Sequence, residues 1–81
     1  MEQQEILKKL QFIFQDVLEN DHLVIDESSC ASNTKGWDSL SHIEIISAIE
    51  DDFNITFTSK EILSWRNVGE IILSIQKHQE S

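Results

Sequence analysis

Apolar residues near the start of the chain recur at three- and four-residue steps. Ile6, Leu10, Ile13 and Val17 form a stripe, widened by Leu7, Phe14 and Leu18, and this is the period of an amphipathic helix. The spacing predicts a first helix over 5–19, with modest support from Glu5 to Lys8 or Lys9 one turn on. Phe12 lies off the stripe and is expected to pack on the following loop. A second periodic stretch runs over 42–53, with Ser39 read as its N-cap. Ile45, Ile46, Ile49 and Phe53, with His42 among them, fall on one side as a core stripe. Leu40, Ile43, Glu44, Ser47, Glu50 and Asp51 fall on the other.

The last third of the chain carries two helix-start signals. Thr58 with Glu61, and Asn67 with Glu70, have the spacing of capping boxes. They predict a short helix over 59–64, bearing Ile62 and Leu63, and a longer one over 68–77 with Val68, Ile71, Ile72 and Ile75 as its core face. Residues 54–57 alternate, with Ile55 and Phe57 inward, and read as an extended link. Trp65 is expected to plug the bundle, and 78–81 to fray. The fold class is therefore all-α: a four-helix bundle with a short third helix, in one domain over 1–81.

Residues 20–38 form a long connection between the first two helices, unusual for a compact domain. Leu23 or Ile25 is expected to tuck into the core and pin it, and 28–32 to form a short helical turn. Gly36 breaks the backbone before Trp37, which is read as capping one end of the core.

Charge changes the picture. Fifteen acidic side chains stand against six basic ones, for a net charge of −9. That balance disfavours nucleic acid, which needs cationic neutralisation of its phosphates, and favours protein partners with basic surfaces. Self-repulsion also predicts that added salt raises the melting temperature; a thermal melt with no salt dependence contradicts this. The single cysteine, Cys30, allows neither an intrachain disulfide nor a multi-cysteine metal site. No apolar run reaches membrane-spanning length and the N-terminus is polar and acidic, so a cytoplasmic monomer with no membrane span is expected. A chain of 81 residues has little room for a water-excluding catalytic cleft, and an enzyme is not expected.

The chemistry-bearing stretch is Gly36-Trp37-Asp38-Ser39-Leu40, at the entry to the second helix. The Ser39 hydroxyl has two uses there. It can cap the helix by accepting a backbone N–H, or it can carry a phosphate group that the free N–H groups and the helix dipole stabilise. Periodicity does not choose between them. Leu40 and Ile43 form a small apolar spot rimmed by carboxylates, suited to a transient partner. Asp38, Ser39 and His42 do not make a hydrolase triad: His42 points to the core side, and a nucleophile elbow is missing. Asp16, Glu19, Asp21, Asp26 and Glu27 lack the spacing of a calcium loop, and no metal site is assigned.

The run from Gly36 to Phe57 resembles the acyl carrier proteins, in its Asp-Ser-Leu, the following Glu44, the paired acids Glu50-Asp51 and then Phe53. The likeness extends to length, helix order and charge over nearly the whole chain. It implies that Ser39 receives 4′-phosphopantetheine from a phosphopantetheinyl transferase, which uses coenzyme A and a divalent metal. It implies that Asp38 assists that transfer, and that Leu40, Ile43, Glu44, Ser47, Glu50 and Asp51 face partner enzymes. The arm's thiol would hold acyl or aminoacyl thioesters for loading, transfer and condensing enzymes in fatty-acid, polyketide or specialised biosynthesis. Trp37 and Ser47 depart from fatty-acid carriers and tilt the reading toward a specialised pathway. The rival is an unmodified acidic helical adaptor that binds a basic partner through Leu40 and Ile43.

Overall fold

The computed structural model describes residues 2–80, and within them four α-helices and no strand. They are α1, Gln3–Val17; α2, Ser39–Phe53; α3, Ser59–Ser64; and α4, Val68–Glu80, with a single 3₁₀ turn at Ala31–Asn33. The first helix packs against both α2 and α4. Its Ile6, Leu10 and Phe14 are wholly buried, together with Ile45 and Ile49 of α2 and Val68, Ile72 and Ile75 of α4. These are the stripes that the spacing places inward, so burial of apolar area along α1 fixes the arrangement.

Several boundaries differ from expectation. The first helix stops at Val17 rather than Glu19 because the backbone turns left-handed at Glu19, at φ 52°. The Asn20 N–H then reaches the Gln15 carbonyl at 3.0 Å and the Glu19 N–H the Asp16 carbonyl at 3.3 Å, a Schellman closure built without the usual glycine. Phe12 does not pack on the loop: it is 63% exposed. Leu63 is likewise exposed on α3, leaving Ile62 to meet the core alone. The helical turn expected at 28–32 lies one to three residues later. The last helix does not fray after Lys77. His78 stacks edge-on against Phe57 at 5.4 Å and its Nε2 lies 3.0 Å from Glu61, tying α4 to α3; Ser81 lies outside the described residues.

The long loop is ordered from outside itself. The Gln15 side chain donates to the Leu23 carbonyl at 2.9 Å, and Gln11 Oε1 accepts the Ile25 N–H at 3.1 Å. One turn apart on α1, these amides hold Ile25 in the core, while Leu23 is half-buried. The loop returns the favour to α4. The Ser29 and Glu27 carbonyls accept the Val68 and Gly69 N–H groups, each at 2.9 Å, satisfying donors that a helix start leaves open. A side chain at position 69 would place its Cβ 3.2 Å from the Glu27 carbonyl oxygen, so glycine is what lets the strap approach. Thr58 caps α3 as its sequence suggests, with Glu61 closing the box. At α4, Asn67 Oδ1 accepts the Glu70 N–H at 3.1 Å, but the Glu70 carboxylate reaches past it to the Arg66 N–H.

Candidate functional site

The loop enters α2 through a tight turn. The Trp37 N–H donates to the Thr34 carbonyl at 3.2 Å, and Gly36 supplies the positive φ of 90° that this turn requires. Trp37 then inserts into the bundle end, 7% exposed, with its ring edge-on to Phe14 at 4.8 Å. Its indole N–H donates to His42 Nδ1 at 3.0 Å. Burial holds the His42 imidazole below its ordinary pKa, so Nδ1 is free to accept at neutral pH. A loop residue and a helix residue are thereby locked on either side of Ser39.

The cap of α2 is Asp38, not Ser39. The Asp38 carboxylate accepts the Leu40 N–H at 3.0 Å and the Ser41 N–H at 2.9 Å. Ser41 completes the box: its Oγ accepts the Asp38 N–H at 2.9 Å and donates to the Gly36 carbonyl at 2.8 Å. Asp and Ser are both good caps, and here the carboxylate takes the position, which moves Ser39 one place into the helix. The Ser39 hydroxyl is exposed and has no hydrogen-bond partner among the described residues. So the two serines of this first turn differ in kind: one is committed to structure, the other is not.

Helix N–H bonds, chiefly that from Ser41, hold the Asp38 carboxyl below the usual 3.8. A depressed carboxyl pKa means stability that is present above the unfolded-state pKa and is lost as pH falls through the folded one. Asp38→Ala is therefore expected to lower Tm by a few degrees at pH 7. The gap to the wild type should narrow below about pH 4, as the carboxyl protonates in both states. A gap that stays constant down to pH 3 in paired melts contradicts the capping role.

A cleft of about 300 Å³ opens beside Ser39, lined by Trp37, His42, Trp65, Ile71 and Arg66 among others. It has an apolar floor and one cation, Arg66, at its rim. The remaining residues singled out in the sequence lie along α2. Leu40 and Ile43 are 69% and 68% exposed, and Glu44, Ser47 and Asp51 are exposed beside them at one-turn spacings. Glu50 stands apart: half-buried, its carboxylate accepts the Phe57 N–H at 2.8 Å and ties down the link to α3. Lys9 of α1 is a cationic neighbour at the far end of α2: its Nζ lies 3.7 Å from Asp52 and over the Phe53 ring. Of the loop carboxylates, Asp26 is occupied by the Ser28 N–H and hydroxyl at 2.8 and 2.6 Å. The Trp37–His42 pair was not read from the sequence; an indole followed five residues on by an imidazole, across a helix start, was the one sign of it.

Comparison with known proteins adds to this geometry. Residues 8–75 match the family model described as the phosphopantetheine attachment site. The chain is 35% identical over 71 residues to the acyl carrier protein of Cyanidium caldarium, covering 85% of this chain and 80% of that one. It is 31% identical over 75 residues to that of Clostridium acetobutylicum, covering 93% and 97%. The solution structure of a holo acyl carrier protein from Geobacter metallireducens superposes with a TM-score of 0.85 at 31% identity, over 91% of this chain and 85% of that one. A chain from Mycobacterium tuberculosis superposes at 0.78 with 22% identity, over 89% and 96%, and bears on the fold alone.

Proposed function

This chain belongs to the acyl carrier protein family, a carrier with a phosphopantetheine group rather than an enzyme, and on that footing we propose that Ser39 is the residue that bears the group. The observation that carries the proposal is the contrast within one helical turn. Ser41 donates and accepts within the cap, whereas the Ser39 hydroxyl is exposed and uncommitted. A hydroxyl that gives up no bond on modification keeps the fold intact when it is substituted.

Once bound, the group supplies a thiol on a flexible arm, which holds acyl groups as thioesters. The chain's own residues position and present it. The Asp38 cap and the Trp37–His42 bond fix the loop on either side of Ser39, so its oxygen is offered to a transferase at a rigid helix start. Asp38 is exposed, and its carboxylate would be available to the divalent metal that a transferase brings. The Ser39 hydroxyl would be the nucleophile on a phosphorus of coenzyme A: its O–P bond forms as the pyrophosphate bond breaks, adenosine 3′,5′-bisphosphate leaves, and the hydroxyl proton goes to a base of the transferase. Incubation with a phosphopantetheinyl transferase, magnesium and coenzyme A should add the mass of one phosphopantetheine, and peptide mapping should place it on Ser39. Mapping to Ser41 or to any other residue rejects the proposal.

Delivery to partners falls to the outer face of α2. Leu40 and Ile43 offer a small apolar contact, and Glu44 and Asp51 a negative rim that steers basic surfaces. Such a contact is small enough to release quickly. Glu44→Lys and Asp51→Lys should each lower the rate of modification by a basic-surfaced transferase several-fold at low salt, with Tm held or raised, since each relieves repulsion. Glu50→Lys should instead lower Tm, because the Phe57 N–H loses its acceptor. Unchanged rates in both reversals of the outer face would remove the docking role.

A further inference from the structure

We propose that this carrier takes short loads, because the cleft beside Ser39 ends at a wall of two hydrogen-bonded indoles. The proposal rests on Ser39 as the attachment point. Of the buried core, the cleft meets Trp37 and Ile71; the wholly buried side chains of α1 and α2 lie outside its lining. Behind Trp37 stands Phe14, edge-on at 4.8 Å and interplanar angle 88°. Behind Trp65 stands Phe57, edge-on at 4.8 Å and 89°. His42 bridges the two, 6.0 Å from the Trp37 ring and 6.4 Å from that of Trp65. The aromatic line therefore runs unbroken across the bundle end, from Phe14 to Phe57.

Both indole N–H groups are already used. That of Trp37 donates to His42 Nδ1 at 3.0 Å, and that of Trp65 to Ser74 Oγ of α4 at 2.8 Å. A chain of methylenes that passed inward along this aromatic line would push one indole out of its place. Its N–H then loses its partner, and the phenyl ring behind it loses a T-shaped contact. Burying further methylenes repays this slowly, one carbon at a time. The first carbons of a load gain shelter in the cleft at no such loss. Trp37 and Trp65 thus act as specificity-determining residues: they set the length of chain that this carrier covers.

The test loads Ser39 with acetyl, butyryl, octanoyl and palmitoyl phosphopantetheine from the matching acyl-coenzyme A, each product checked by intact mass. A chain that stays at its unmodified mass overturns the attachment and this proposal together. With the mass gained, the proposal is read separately, from Tm and from the indole N–H resonances of the loaded chain. Tm is expected to rise from acetyl to butyryl and then to hold level through palmitoyl, with both indole resonances in place. A Tm that climbs at every step, with either resonance moving, overturns the proposal and leaves the attachment standing. Trp65→Phe keeps a ring in the wall but removes the bond to Ser74, and Trp37→Phe does the same for His42. At least one of them should carry the rise in Tm on to octanoyl. A plateau unmoved in both variants overturns the assignment of the wall to these two residues.

Discussion

Ser39→Ala is expected to abolish the gain of phosphopantetheine completely, with a melting temperature equal to that of the unmodified wild type. Both halves follow from the cap. Asp38 and Ser41 hold the start of α2, and the Ser39 hydroxyl contributes no bond to it. Its loss should change stability by less than about 0.5 kcal/mol, and alanine is the better helix former. Ser41→Ala is the control and should behave in the opposite way. It removes an acceptor from the Asp38 N–H and a donor from the Gly36 carbonyl, which should cost about 1 kcal/mol, and it leaves the modification in place. Intact mass and a thermal melt on the two variants decide the matter. Modification persisting in Ser39→Ala, or lost only in Ser41→Ala, would sink the assignment.

Phe14→Ala should be the most damaging single substitution in the core. Phe14 is wholly buried and backs Trp37, and truncating such a ring costs about 3–5 kcal/mol. A domain of 81 residues has about 4–12 kcal/mol in total, at typical stability per residue. The variant should therefore be largely unfolded, or nearly so, at 37 °C in a denaturant titration. Where it does remain folded, Trp37 loses its support, so modification of Ser39 should slow although the serine itself is untouched. Phe12→Ala, two residues away but exposed, should change stability by no more than about 0.5 kcal/mol. Equal stability of the two variants would contradict the burial of Phe14 in the core.

Much of this arrangement was legible in the residues, and the parts that were not share a physical cause. The stripes of α1, α2 and α4 are long enough for periodicity to speak, and the side chains they place inward are buried. The short α3 gives a period little room to show itself, and Leu63 points outward. The end of α1 escaped notice because glutamate rarely takes the left-handed position that Glu19 occupies. The cap of α2 was placed one residue late because aspartate and serine stand side by side there, and only geometry shows which oxygen faces the N–H groups. Gln11 and Gln15 read as ordinary polar residues on a helix. Their role as anchors of the loop depends on backbone groups seven or more residues away, as does the pairing of Glu50 with the Phe57 N–H.

The strap between the loop and α4 bears on whether the chain can be divided. Val68 and Gly69 complete their first turn with carbonyls that precede them by some forty residues. A C-terminal fragment that begins after the loop would start its last helix with those amides open to solvent. In the intact chain, the same two amides should exchange with deuterium no faster than the loop detaches. Their exchange rate is thus a local gauge of docking between segments remote in the chain, readable without any cofactor or partner.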